Sequence, residues 1–160
     1  MSDEIPAPLC FAIIAVVIFI VWQIYGRKIK RINQMPEIPR VIPENGFEVP
    51  VLATFKGLKR LPRKIAFAYN NLNPFLTLFE DRLECRVLLK NAILLSQIEN
   101  VDIWDTFATR NLQVYVKDQE DLLTANLLNR MNLSQVLNFL VNRGVPLSSR
   151  AKAFLAMNST

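Results

Sequence analysis

The run LCFAIIAVVIFIVWQIY, residues 9–25, contains no charged side chain and one strongly polar one, Gln23. Uncharged sequence extends over 5–26, and at about 1.5 Å of rise per helical residue it can cross the roughly 30 Å hydrocarbon core of a bilayer. A buried helix of a water-exposed domain would carry a polar stripe, and a cleavable signal would begin with basic residues and end in small ones. Here Asp3 and Glu4 precede the run, and Arg27, Lys28, Lys30 and Arg31 follow it at once. Pro6 and Pro8 stand where a helix begins, and Trp22 and Tyr25 stand at headgroup level. The pattern predicts a retained, single-pass transmembrane helix over 9–26, with 1–8 as a short extracytoplasmic N-terminus and the remainder of the chain in the cytoplasm.

Beyond the anchor the chain is long enough for one domain with a modest core. Its positive charge is unevenly distributed: residues 27–64 hold ten basic and three acidic side chains, and residues 65–160 hold nine of each. A basic segment close to the membrane suits anionic headgroups, whereas nucleic acid binding would call for basic residues on the folded domain as well. The two cysteines, Cys10 in the apolar run and Cys85 in an expected strand, are not placed to pair, which agrees with a reducing compartment.

The basic juxtamembrane segment leads into a stretch with Pro36, Pro39, Pro43 and Pro50, so 27–50 reads either as a semi-rigid tether or as loops lying against the domain. Five basic side chains then fall within nine residues: Lys56, Lys59, Arg60, Arg63 and Lys64. Together with Arg27, Lys28, Lys30 and Arg31 they could meet phospholipid phosphates, each contributing roughly 1 kcal/mol near an anionic surface, or form a solvated face or a site for an acidic protein. From 65 onward the texture is that of strands. Segments 65–69 and 75–79 are separated by a turn-rich spacer, and Glu80 and Asp81 make the tight connection of a hairpin over 75–89. In 82–89, Leu83, Cys85, Val87 and Leu89 alternate with Arg82, Glu84 and Arg86, which predicts one buried face and one solvent face. Further strands are expected at 98–104, 112–117 and 122–128. The last element is an amphipathic helix, with Asn132 as its N-cap, Leu133, Val136, Leu137, Leu140 and Val141 as its apolar stripe, and Gly144 as its stop. Residues 149–160 form a C-terminal tail with a short helix possible through Ala151, Phe154 and Leu155.

Several short antiparallel strands closed by a C-terminal amphipathic helix is the element order of the pleckstrin-homology superfold. The segments FLTLFEDRLECRVLLKNAILLSQIENVDIWDTFATRNLQVYVKD (75–118) and LSQVLNFLVNRGVPLS (133–148) resemble the bacterial PH-like and GRAM-like domains attached to membrane helices. The resemblance implies an α+β fold: a transmembrane helix followed by a PH-like curved antiparallel sheet or partly open barrel over 51–148, capped by the C-terminal helix, in a bacterial inner membrane. Two family features are missing: the last helix has no tryptophan, since Trp104 is in a strand, and no basic phosphoinositide signature occupies the first hairpin loop.

Chemistry is sparsely provided for. The chain has no histidine, no Gly-rich phosphate loop, no CxxC and no nucleophile elbow. Acidic residues gather at Glu80, Asp81 and Glu84 and again at Asp118, Glu120 and Asp121, but their spacing matches no EF-hand. The expectation is a non-catalytic binding or scaffold protein with no cofactor and no metal, an accessory or assembly subunit that engages a membrane protein partner. Trp104, Phe107 and Tyr115 are the candidate partner-binding residues, or else complete a small core. The alternative expectation is a module that reads anionic lipid directly.

Overall fold

The computed structural model describes residues 13–20, 22, 23, 26, 39–42, 46–59, 66–105, 109–127 and 129–158. The chain divides into two compact units, Met1–Met35 and Pro36–Thr160. In the first, residues 13–20 are helical, and Ile13, Val16, Phe19 and Ile20 are half exposed or more. Among the described residues no helix is long and apolar enough to cross a membrane. Residues 9–12, 21, 24 and 25 of the expected span lie outside them, as do Arg27, Lys28, Lys30 and Arg31.

The second unit is α+β. Its strands are β1 (Arg40–Ile42), β2 (Gly46–Val49), β3 (Val51–Leu58), β4 (Ala66–Asn70), β5 (Leu76–Leu78), β6 (Arg82–Arg86), β7 (Lys90–Leu94), β8 (Ile98–Asp105), β9 (Arg110–Val116) and β10 (Asp121–Leu127), followed by helices α1 (Arg130–Val141) and α2 (Ser149–Met157). They form two five-stranded antiparallel sheets, the first in the order β1-β2-β5-β6-β7 and the second in the order β4-β3-β10-β9-β8. Alternation builds the core between them. Leu76, Leu78, Leu83 and Cys85 from the first sheet share one buried cluster with Val101, Leu112, Val114, Leu123, Ala125 and Leu127 from the second. The stripe on α1 joins that cluster through Leu133, Val136, Leu137 and Leu140, and the Phe139 ring meets Phe47 of β2 edge-on at 4.7 Å.

The hairpin at Glu80 and Asp81 is present: Leu78 stands opposite Leu83, and the Phe79 N–H donates to the Arg82 carbonyl at 2.8 Å. Three other expectations need correction. The Pro-rich stretch contributes strands, because its prolines punctuate them: Pro39 precedes β1, Pro43 follows it, and buried Pro50 marks where the chain leaves the first sheet at Val49 and enters the second at Val51. In 82–89 the alternation holds only as far as Val87. Leu88 and Leu89 are a turn, 73% and 77% exposed, and the chain returns as β7, paired with β6 from Arg86 opposite Lys90 to Arg82 opposite Leu94. The N-cap of α1 is Asn129, whose side chain accepts from the Asn132 N–H at 2.8 Å, while Asn132 is buried in the first turn. Two asparagines three residues apart carry the same capping signal, and the upstream one opens the helix.

Gly144, at φ +73°, ends α1 with its N–H on the Val141 carbonyl, and the Val145 N–H returns to the Leu140 carbonyl at 3.0 Å. Ser148 then caps α2, which places Ala151 and Phe154 in the core cluster. The folded body therefore draws on elements on both sides of 51–148.

Gly46 begins β2 where side chains are tightly packed. A Cβ there would lie 2.8 Å from Phe79 Cδ1 and 2.9 Å from the Leu78 carbonyl oxygen, the second being backbone that cannot swing aside. Gly46→Ala is expected to cost about 1–3 kcal/mol, read as a lower urea midpoint with an unchanged slope.

Candidate functional site

The basic run meets the folded unit at two described residues, and both are committed within it. Lys56 on β3 pairs in register with Leu123 and Ala68, which are buried on the core side of the second sheet. Its side chain is therefore on the inner side of the sheet, where Nζ lies 2.6 Å from Asp121 Oδ2. Lys59 follows β3, with Nζ 2.6 Å from Glu99 Oε2 and donating to the Val116 carbonyl at 2.7 Å. Arg60, Arg63 and Lys64 lie outside the described residues.

Lys56 and Asp121 line a cavity of about 130 Å³ together with Cys85, Val87, Val116 and Leu123 and the amides of Asn91, Gln97 and Gln119. Burial pushes the Cys85 thiol up to about 12 against the opposing pull of the Lys56 charge, so the wall presents a neutral thiol. Among the described residues no group of three or more cysteine or carboxylate side chains could hold a metal ion. Asp121 is held by Lys56, and Glu84 is held by Arg82 and Lys90.

The outer face of the second sheet carries the expected aromatic residues in a different arrangement. Trp104 stands opposite Asn111 and Tyr115 opposite Asn100, so both face outward, but the pair Asp102 and Gln113 separates them. Both are half-buried, and Phe107 lies outside the described residues. The register continues Asp102, Gln113, Thr124, Phe55 and Tyr69 as one row across all five strands. At its far end the Phe55 and Tyr69 rings lie 4.9 Å apart, and Tyr69 and Phe67 on edge strand β4 are 48% and 59% exposed. This aromatic edge was missed from sequence, although AFAY carries its signal: Ala68 faces the core while Phe67 and Tyr69 face out, the reverse of the usual distribution of small and large residues.

On the outer side of the first sheet, Glu84 is nearly buried, with Lys90 Nζ at 2.8 Å and Arg82 Nε at 3.0 Å. The Lys90 hydrogen bond, aided by Arg82 and opposed by burial, holds its carboxyl below the ordinary value. A depressed carboxyl stabilises the fold above its unfolded-state pKa, and that contribution is lost as pH falls through the folded-state value. Glu84→Gln is expected to lose about 1 kcal/mol at neutral pH and to flatten the acid limb of a pH series of urea midpoints.

No family model and no curated protein matches the chain.

Proposed function

We propose that the chain is a membrane-anchored, non-catalytic binding protein, an accessory or assembly subunit of a membrane protein complex, built on a PH-like domain. The apolar run at 9–25 would confine the domain to the cytoplasmic face of a bacterial inner membrane. Confinement of this kind raises the effective concentration for a membrane partner without any new contact. The observation that carries the reading is the aromatic edge of β4, where exposed Phe67 and Tyr69 stand beside Phe55 on a strand whose outer edge no described strand pairs. An unpaired edge offers backbone hydrogen bonds to an added strand, and aromatic side chains supply the apolar contact.

The alternative is direct recognition of anionic headgroups through the basic clusters. Lys56 and Lys59 favour the first reading, since each already has a carboxylate at 2.6 Å. The test is affinity purification of the full chain from solubilised native membranes. Phe67→Ser with Tyr69→Ser is expected to lose a stoichiometric protein partner, and neutralisation of Arg60, Arg63 and Lys64 is expected to leave it. The opposite pattern would overturn the proposal.

A further inference from the structure

Three leucines of the folded unit are among its most exposed large apolar residues, and the fold brings their turns to one end. Leu72, in the turn between β4 and β5, is 89% exposed; Leu88 and Leu89, in the turn between β6 and β7, are 73% and 77% exposed. Asn70 holds the first turn by accepting the Leu72 and Asn73 N–H groups on Oδ1, each at 3.2 Å. Its Nδ2 donates to the Arg86 carbonyl at 3.2 Å, which ties the first turn to the start of the second. The Arg86 N–H in turn donates to the Phe75 carbonyl at 3.2 Å, and the Thr54 hydroxyl also reaches the Arg86 carbonyl. The leucines are thus presented by braced turns.

The surroundings favour one occupant. Residues 71–79 and 85–98 contain no carboxylate, and the charges they hold are Arg86 and Lys90. The Arg86 guanidinium lies over the Phe75 ring at 5.1 Å, and Lys90 keeps a 58% exposed side chain while it contacts Glu84. The other polar side chains of these segments are Asn71, Asn73, Thr77, Asn91, Ser96 and Gln97, and the neighbouring carboxylates Glu84 and Asp121 are each paired with a lysine. Apolar tips standing out from the surface, with cations and amides behind them, match the depth profile of a bilayer interface, where acyl chains lie below anionic headgroups. A protein partner would instead be met by a shaped patch in which apolar side chains pack side by side.

We propose that the braced turns 71–74 and 87–89 dip Leu72, Leu88 and Leu89 into an anionic bilayer, with Arg86 and Lys90 at headgroup level. The inference deepens the anchored reading, on which it relies for a bilayer close at hand. It would set the domain with β4, whose last residue is Asn70, running up from the membrane surface, so that Phe67 and Tyr69 face a membrane partner just above the headgroups. It also assigns lipid contact to the end of β4 opposite the one where the basic run enters.

The test uses the full chain with Cys10→Ser, so that buried Cys85 is the one native thiol, and an environment-sensitive fluorophore on Leu88→Cys. It is reconstituted into phosphatidylcholine vesicles with and without phosphatidylserine. A label on Lys152→Cys, on the exposed side of α2, serves as the reference. In vesicles that float with the chain, the label at position 88 is expected to shift to shorter wavelength and to be quenched by acyl-chain spin labels, more strongly with phosphatidylserine. The label at position 152 should show neither effect, and adding Leu72→Ser and Leu89→Ser should reverse the shift while Cys85 stays unreactive, which reports an intact fold. A water-like, unquenched label at position 88 in floated vesicles would overturn the proposal, as would energy transfer between labelled copies without lipid quenching, which would assign the tips to a second copy of the chain. If the chain does not float, the anchor fails by itself. Adding vesicles to the dispersed chain then reads the same label, with a shift supporting the tips and no shift overturning them.

Discussion

Leu137→Ala is expected to lower the unfolding free energy of the folded unit by about 2–5 kcal/mol, the range for emptying a fully buried leucine site whose walls cannot collapse. Leu137 is 0% exposed and belongs to the stripe by which α1 joins the core of both sheets. The cost should be high in this range because the helix is held at both ends, by the Asn129 cap and by the Gly144 stop. Urea titration of the full chain in mild detergent, followed by tryptophan fluorescence, measures it. A loss below about 1 kcal/mol would mean that α1 rests on the sheets without completing their core.

Cys85 is expected to be nearly inert in the folded chain. With its thiol pushed up to about 12 by burial, about one molecule in ten thousand carries the thiolate at pH 8. An ordinary thiol near 8.5 would be about a quarter ionised. Alkylation by iodoacetamide in a Cys10→Ser background should therefore be about three orders of magnitude slower in buffer than in concentrated urea, before any steric protection is counted. The same burial makes the neutral thiol a stabilising group below its unfolded-state pKa, and that contribution is lost as pH rises toward the folded-state value. A folded-state rate within tenfold of the unfolded one would show that the cavity beside Cys85 admits reagent and solvent freely.

The parts of this fold that could be read in the sequence are those in which one periodicity has no competitor. The stripe of α1, the alternation through Leu83 and Cys85, and the strands at 98–104 and 112–117 are of this kind, since each buries one face against a single layer. The strands over 40–58 were hidden because prolines at their ends gave the stretch the composition of a tether. Strand β7 was hidden because VLLKNAILL is apolar on both sides of its turn, and no glycine marks the reversal at Leu88 and Leu89. Gln113 shows a further limit: alternation puts it on the outer face, as found, yet its neighbours leave it fully buried.

The candidate site was less legible for the same physical reason. Charge counting groups Lys56 and Lys59 with Arg60, Arg63 and Lys64, but a lysine on a strand goes where the pleat points it, and Lys56 points to the inner side, toward Asp121. Asp121 is far along the chain and becomes its partner only when β10 pairs with β3. Trp104 and Tyr115 were correctly placed on strands, but the register that separates them, and that puts Phe55 beside Tyr69, comes from cross-strand pairing.

The central claim is that the domain works at the membrane by holding a protein. Its most direct measurement is affinity purification of the full chain from solubilised native membranes at low salt and again at about 1 M salt, where the screening length falls to about 3 Å. The account predicts one protein recovered in fixed ratio under both conditions, because an apolar strand edge is insensitive to screening. Recovery of anionic lipid alone, lost at high salt, would contradict it and make lipid recognition the function.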